Sequence, residues 1–551
     1  MKIVIIGGVA GGATAAARLR RLDEKAEIIL FERDAYVSFA NCGLPYHIGG
    51  VIEHREKLLL QTPEGFKCRY NIDVRVLSEV IAIHPDSKSV TVREVNTGRS
   101  YVEGYDKLIV STGASPLKPN IKGVDNERVF TLRNMSDMDR IKAAVACEGV
   151  GSAVVVGAGF IGLEMAENLK KAGLSVTVIE QLNQVMNTVD YPMASMVHRY
   201  LRSLGVNLLL GETVTAVEPE GDRLRVRTES QKAIDTDMVI LSIGVRPETG
   251  LVREAGLMIG CLGGIKVNEY MQTSHPDIYA VGDAVEVTNL VTGKPALIPL
   301  AGPANKQARI AADNIIMGNS RTYKGTVGTC IAKLFDMSVA AAGATERQLQ
   351  NEGIEYITSI CHGSTHSGYY PGALPISLKI NFAPDGKLLG AQAVGFGGVD
   401  KRIDLLAQVI RNGGTVQDLQ EIEQAYAPPF SSAKDPVNMA GFIAENIVQG
   451  RVKIIHWHDI DTRDPETVVI DVRTNEEYQA GHIEQSLHIP VDELRERLSE
   501  VPKGKTLYIY CKIGLRGYVA TRILMQHGFE AIYNLSGGYD TYSCVKENIS
   551  R

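Results

Sequence analysis

Short apolar runs rich in valine and isoleucine recur along the chain. Several close in a glycine turn and run into a stretch of helical composition, which predicts strand-turn-helix units. In residues 2–34, KIVIIGGVAGGATAAARLRRLDEKAEIILFERD, the order is strand (Ile3–Ile6), turn (Gly7–Gly12), helix (Ala13–Leu22) and strand (Ile28–Phe31). Residues 152–181, SAVVVGAGFIGLEMAENLKKAGLSVTVIEQ, repeat that order with Gly157, Gly159 and Gly162 in the turn. Two more strands, in YDKLIVSTGASP (105–116) and DIYAVGDAVE (277–286), end at Thr112-Gly113 and Gly282-Asp283, and VILSIGVRPET (239–249) is a strand-turn carrying Gly244. Residues 323–448 mix strand and helix patterns around two aromatic-proline loops, HSGYYPGALP (366–375) and QAYAPPFSSAKDP (424–436). The character changes at about 450–460, and residues 455–548 form a self-contained α/β pattern of their own.

The glycine turns carry chemistry. Glycines let a pyrophosphate approach a helix N-terminus and its partial positive charge. Glu32 falls 20 residues after Gly12 at the end of the next strand, where it can accept hydrogen bonds from a ribose diol. The first turn departs from G-x-G-x-x-G at its middle position, Val9. On that unit alone, a glycine-rich turn of another α/β domain stays open. A second unit about 150 residues on strengthens the dinucleotide reading. Its strand ends at Glu180 with no arginine beside it, which favours NADH and leaves NADPH as the second candidate.

At 551 residues the chain is long enough for three or four domains. A net charge of −6 with interspersed signs gives no footprint for nucleic acid. No run reaches the ~18 apolar residues of a membrane span. The start, MKIVIIGG, runs directly into a strand, so no signal peptide is expected. The eight cysteines are scattered without paired spacing, which argues against a disulfide framework or a metal site and for a cytoplasmic location.

With its paired glycine turns and the strands ending at Thr112-Gly113 and Gly282-Asp283, the chain resembles the pyridine nucleotide–disulfide reductase family. The resemblance implies an FAD-binding domain over 1–118 and 245–322, an inserted NAD(P)H-binding domain over 119–244 and a dimerisation domain over 323–448. FAD is then expected at Gly7, Gly8, Val9, Ala10, Gly11, Gly12, Glu32, Arg33, Thr112, Gly113, Asp283 and Ala301, with Asp283 on the ribityl chain. NADH is expected at Gly157, Gly159, Phe160, Ile161, Gly162, Glu180 and Gly244, with Phe160 covering the flavin until nicotinamide displaces it. The same resemblance implies a homodimer with shared active sites, in which Tyr426 lies near the partner's Cys42 with Tyr369 or Tyr370 close by.

Cys42, in SFANCGLPY, has no second cysteine in its loop. That motif is similar to the single-cysteine branch, which contains coenzyme A-disulfide reductases, NADH oxidases and peroxidases. With one protein sulfur, the acceptor is a mixed disulfide with a small thiol or an oxidised sulfur. The peroxide-reducing members carry a histidine at the position of Ala10, and its absence counts against that chemistry. Thr14, Arg18 and Arg21 are spaced i, i+4, i+7 on one helix face, which is ordinarily a solvated basic face. By resemblance to coenzyme A-disulfide reductases they line a coenzyme A site together with Ser38, Asn41 and Lys434. A bound flavin and a nearby helix N-terminus are expected to lower the Cys42 pKa.

Residues 455–548 resemble a rhodanese domain through Asp471-Val472-Arg473, Gly481-His482-Ile483 and the loop Cys511-Lys512-Ile513-Gly514-Leu515-Arg516. A cysteine opening such a loop is expected to face backbone N–H groups that stabilise a thiolate or persulfide, with Arg516 and Lys512 adding positive charge. The predicted fold class is therefore α/β: two Rossmann-like dinucleotide-binding domains, an α+β dimerisation domain and a C-terminal rhodanese α/β domain. The expected activity is FAD-dependent, NADH-preferring reduction of coenzyme A persulfide, polysulfide or coenzyme A disulfide through Cys42, with Cys511 handling sulfane sulfur. Two alternatives stay open: an NADH oxidase or peroxidase using a Cys42 sulfenic acid, and a flavin-containing sulfur carrier or redox sensor.

Overall fold

The computed structural model describes residues 1–549. The chain forms two compact units, one of Met1–Asn183 with Val206–Gly328, the other of Gln184–Gly205 with the described residues from Thr329 onward.

The first unit contains two five-stranded parallel sheets. One runs in the order Ile278–Ala280, Lys107–Val110, Lys2–Ile6, Glu27–Phe31, Asp73–Arg75. Its central strands are apolar on both faces, as a covered parallel sheet requires, and Ile3, Val4 and Ile5 are fully buried. The other runs in the order Asn207–Leu210, Ser175–Glu180, Ser152–Val156, Met238–Leu241, Val129–Phe130. It is inserted in the first: the chain leaves through Ala114–Pro116 and returns through Val245–Pro247, and these two segments pair antiparallel. Helix Ala10–Leu22, which begins earlier than the expected Ala13, packs against helix Ala301–Met317. The buried alanines of both, Ala15 and Ala16 against Ala308, Ala311 and Ala312, allow the close approach.

The second unit is built on a five-stranded antiparallel sheet, ordered Cys330–Leu334, Met337–Gly343, Leu388–Gly395, Pro375–Phe382, Ile357–Ser364. Leu388–Gly395 is buried at every position, because helix Val399–Arg411 and helix Tyr191–Ser203 both pack on it. The latter helix lies between two strands of the second parallel sheet in sequence, yet clusters with this unit. Its cap explains the attachment. Buried Asp190 accepts from Lys379 at 2.6 Å and Gln392 at 2.6 Å, and Lys379 also pairs with Glu346 at 2.9 Å.

The remaining parallel sheet, in the order Lys453–Ile455, Ile532–Leu535, Leu507–Tyr510, Val468–Asp471, Leu487–His488, belongs to the same unit, and its edge strand starts two residues ahead of position 455. His362 fastens it to the antiparallel sheet, bonded to Ser377 at 2.7 Å and Thr541 at 2.8 Å. Burial pushes that imidazole down to about 4, so it is neutral at physiological pH.

Candidate active sites

The two glycine turns are built alike. Gly7 has φ +92°, and a Cβ there would collide with the Ser111 carbonyl; one on Gly12 would collide with the Gly7 carbonyl. Gly157 and Gly162 repeat both relations against Ser242 and Gly157. The middle position is different. Val9 and Gly159 each cap their helix at negative φ, and a Cβ on Gly159 meets open space, so the backbone tolerates valine at position 9.

Each acid closes its own turn. Glu32 accepts from Gly8 N–H at 2.8 Å and Asp34 N–H at 3.0 Å. Glu180 accepts from Ala158 N–H at 2.7 Å and Leu182 N–H at 2.9 Å. Burial raises the Glu32 carboxyl above the usual range, against the pull of those N–H bonds. Burial acting alone pushes Asp283 up to about 6. Around the exit and return strands, Arg33 pairs with Glu248 at 3.4 Å and Thr112 donates to the Glu248 carbonyl at 2.6 Å. Gly113 (φ +69°) and Gly244 (φ +114°) make the adjoining bends. Ala301 is exposed in the first turn of its helix, Phe160 is half-buried and opens helix Phe160–Lys171, and Ile161 is exposed. A glycine-lined turn at a thirteen-residue helix N-terminus and the half-buried Asp283 carboxyl beyond it fit an FAD.

Cys42 sits in a tight turn, Asn41–Gly43, that runs into the single-turn helix Leu44–Ile48. Ser38 precedes it in the left-handed region (φ +48°), uncommon for a residue with a side chain. Its N–H donates to the Gly8 carbonyl at 2.8 Å, pinning this loop to the first glycine turn. Cys42 has solvent at its surface, but its thiol is set back against protein. Burial, then Glu164, then Asp283 raise its pKa. This reverses the expected direction as far as the protein's own groups are concerned: one helical turn supplies too little field to offset burial and two carboxyls. Glu164, two residues after Gly162, is a neighbour that the motif reading missed. It accepts from the Tyr46 hydroxyl at 3.2 Å, and burial pushes it up to about 7.

The predicted basic face is only partly basic. Arg18 pairs at 2.6 Å with Asp313, which is 1% exposed, and Thr14 donates to Asn305 at 2.5 Å, so both turn toward helix Ala301–Met317. Arg21 is exposed, as is Asn41, and Ser38 is half-buried.

In the second unit, the Tyr369 and Tyr426 hydroxyls lie 3.1 Å apart. Tyr369 is 76% exposed and Phe430 72%, and Tyr370 and Tyr426 are also exposed, an aromatic surface unusual for a free chain. Both loops hang on one side chain absent from the sequence reading. Arg402 binds Asp435 at 2.6 Å, both 1% exposed, and donates to the Thr365 carbonyl at 2.9 Å. Lys434 is exposed beside that pair.

Cys511 ends strand Leu507–Tyr510 and is fully buried. Its sulfur accepts from Gly514 N–H at 3.1 Å, where Gly514 (φ +107°) caps helix Leu515–Gln526. The Cys511 and Lys512 carbonyls accept from Tyr539 N–H at 2.8 Å and Asp540 N–H at 3.0 Å. Lys512 is exposed. Arg516, expected to add positive charge here, binds both Glu477 oxygens, at 2.6 and 2.8 Å. Arg473 is likewise paired with Asp471 at 2.6 Å and lies over the Tyr539 ring. Among the described residues, no acidic, histidine or cysteine cluster could hold a metal ion, and no helix is long and apolar enough to cross a membrane.

Residues 1–307 match the pyridine nucleotide-disulphide oxidoreductase family, 329–436 its dimerisation domain, and 457–543 the rhodanese-like domain. The coenzyme A disulfide reductase of Staphylococcus haemolyticus is 39% identical over 81% of this chain and 100% of its own length. The crystal structure of reduced Bacillus anthracis CoADR-RHD is similar with TM-score 0.97 and 50% identity, covering 99% of this chain and 98% of that one. The NAD-dependent persulfide reductase from A. fulgidus is similar with TM-score 0.93 and 39% identity, covering 98% of this chain and all of that one.

Proposed function

Because the chain belongs to the pyridine nucleotide–disulphide oxidoreductase family and is an FAD-dependent oxidoreductase, we propose that it uses NADH, in preference to NADPH, to reduce coenzyme A persulfide, polysulfide or coenzyme A disulfide at Cys42. The observation that carries this reading is the solitary Cys42 beside Glu164 of one dinucleotide unit and Asp283 of the other. The substrate supplies the second sulfur.

FAD, when bound, supplies two-electron transfer between nicotinamide and sulfur. The chain's own residues do the rest. Glu32 and Glu180 hold the two glycine turns closed and take the two riboses. The Cys42 thiolate attacks the sulfur attached to coenzyme A, forming a Cys42–S–S–coenzyme A bond and releasing hydrosulfide from a persulfide or a coenzyme A thiolate from a disulfide. An electron pair then splits that bond, and the departing thiolate takes a proton that the partner's Tyr426 is placed to give. Thr14, Arg18, Arg21, Ser38, Asn41 and Lys434 bind coenzyme A, with Arg21 as the exposed cation for its phosphates. Tyr369 and Tyr370 complete the site from the exposed aromatic surface, which requires a homodimer. The domains follow as 1–118 with 245–322 for FAD, 119–244 for NADH, 323–448 for dimerisation and 455–548 for sulfane sulfur on Cys511. The location is the cytoplasm.

Steady-state NADH consumption tests the reading. Coenzyme A disulfide or polysulfide should drive turnover well above oxygen alone. Equal rates would favour oxidase chemistry, and slow turnover with every acceptor a sensor.

A further inference from the structure

The charges around Cys511 cancel in pairs. Arg516, in the first turn of the helix that follows the Cys511 loop, gives two N–H bonds to Glu477, and Arg473 is paired with Asp471. Lys512 is exposed, and its charge acts on Asp540, whose N–H donates to the Lys512 carbonyl. Glu477 belongs to short helix Asn475–Gln479, where its carboxylate also accepts from Thr474 N–H at 3.0 Å. It is thus fixed from two sides, and its charge stays beside Arg516. Arg516 holds that carboxyl down to about 2, so it is ionised throughout the physiological range. Cys511 is fully buried, so a donor's charge that reaches it does so where water screens little.

We propose that Glu477 is a specificity-determining residue of the Cys511 loop, selecting singly charged organic persulfides over doubly charged inorganic donors such as thiosulfate. This rests on the reading of Cys511 as a sulfane-sulfur carrier. In the favoured step, the Cys511 thiolate attacks the outer sulfur of R–S–S⁻, forms Cys511–S–S⁻ and expels R–S⁻. With thiosulfate the same attack expels sulfite, and both the incoming and the departing dianion face the Glu477 carboxylate. An uncompensated arginine would favour the dianion. Glu477 removes that advantage while fixing the guanidinium in place beside the loop.

The test uses full-length, FAD-loaded protein carrying Cys42→Ser, so that added sulfur is read at Cys511 alone. Loading from thiosulfate and from the persulfide of 2-mercaptoethanol is timed by the mass of the Cys511 peptide. Glu477→Gln keeps the shape and a hydrogen bond to Arg516 but loses the charge. It should speed thiosulfate loading about tenfold and change persulfide loading less than threefold. Glu477→Asp should restore the parent preference, and Thr474→Ala, which trims the helix cap and leaves the carboxylate, should change neither rate. Added salt should narrow the donor difference in the parent and have less effect in Glu477→Gln. An equal fall for both donors in Glu477→Gln would show a purely structural role and overturn the proposal, as would an unchanged ratio. Failure of both donors to load Cys511 in every form would instead overturn the carrier reading on which the proposal stands.

Discussion

Cys42 reaches solvent ahead of a single helical turn, with the carboxyls of Glu164 and Asp283 facing it, whereas Cys511 is fully buried ahead of a twelve-residue helix, with Gly514 N–H on its sulfur and Arg516 alongside. The two loops set different groups around their sulfurs. Around Cys42 the protein's own groups favour the protonated thiol, so a thiolate there depends on what binds. Around Cys511 a backbone N–H already points at the sulfur, and Arg516 stands in the same loop paired with Glu477. A centre that gains and loses an electron pair can use the first arrangement, since its charge changes during turnover. A carrier that must keep a persulfide anion needs the second.

Substitution of each cysteine breaks this comparison most severely. Cys42→Ser should reduce NADH consumption with coenzyme A disulfide to buffer background. Cys511→Ser should leave that rate within about twofold while abolishing sulfur loading on the C-terminal loop, read by peptide mass. Loss of both activities in either variant would mean that the two centres are not separable.

The next largest effect lies in the aromatic loops assigned to Cys42 chemistry. Arg402→Met leaves Asp435 buried without its partner, a loss of about 3–5 kcal/mol, visible as a lower melting temperature. It should also free both Tyr369 and Tyr426 loops. Reductase kcat should fall, with Cys511 loading unaffected in the protein that remains folded.

Removing a carboxylate sharpens the contrast further. Glu164 titrates at about 7 and raises the Cys42 pKa when ionised. Glu164→Gln should therefore lower the Cys42 pKa and speed iodoacetamide alkylation of the reduced protein about three- to tenfold at pH 8. In the parent protein the rate should climb with pH as the raised thiol ionises. Alkylation of Cys511 should be indifferent to the change. The smallest effect is expected at the surface: Arg21→Ala should raise KM for coenzyme A disulfide about threefold, less at high salt, with kcat and melting temperature unchanged.

Strands and glycine turns could be read from the sequence because each rests on local pattern, and the fold class followed from the family those motifs resemble. Gly7, Gly12, Gly157 and Gly162 are demanded by carbonyls that press against them, and spacing reports such demands. The missed features depend on partners far along the chain. Arg18 looked like a free cation because its partner, Asp313, is 295 residues away. Arg402 and Asp435, 33 residues apart, carry no motif that pairs them. Glu164 and Glu477 carry no signal in the sequence, since nothing local says that one lies near a cysteine or that the other holds an arginine. Segment 184–205 fits the strand-helix-strand rhythm of the second sheet, and it takes distant bonds such as Asp190–Lys379 to show where its helix is fastened.

The central claim is that the missing second sulfur of the Cys42 centre comes from coenzyme A. Denaturing the purified protein with and without a reductant, and weighing every small molecule released, tests it most directly. The account predicts FAD under both conditions and coenzyme A only with reductant. FAD alone, with Cys42 carrying one or more oxygen atoms, would contradict it.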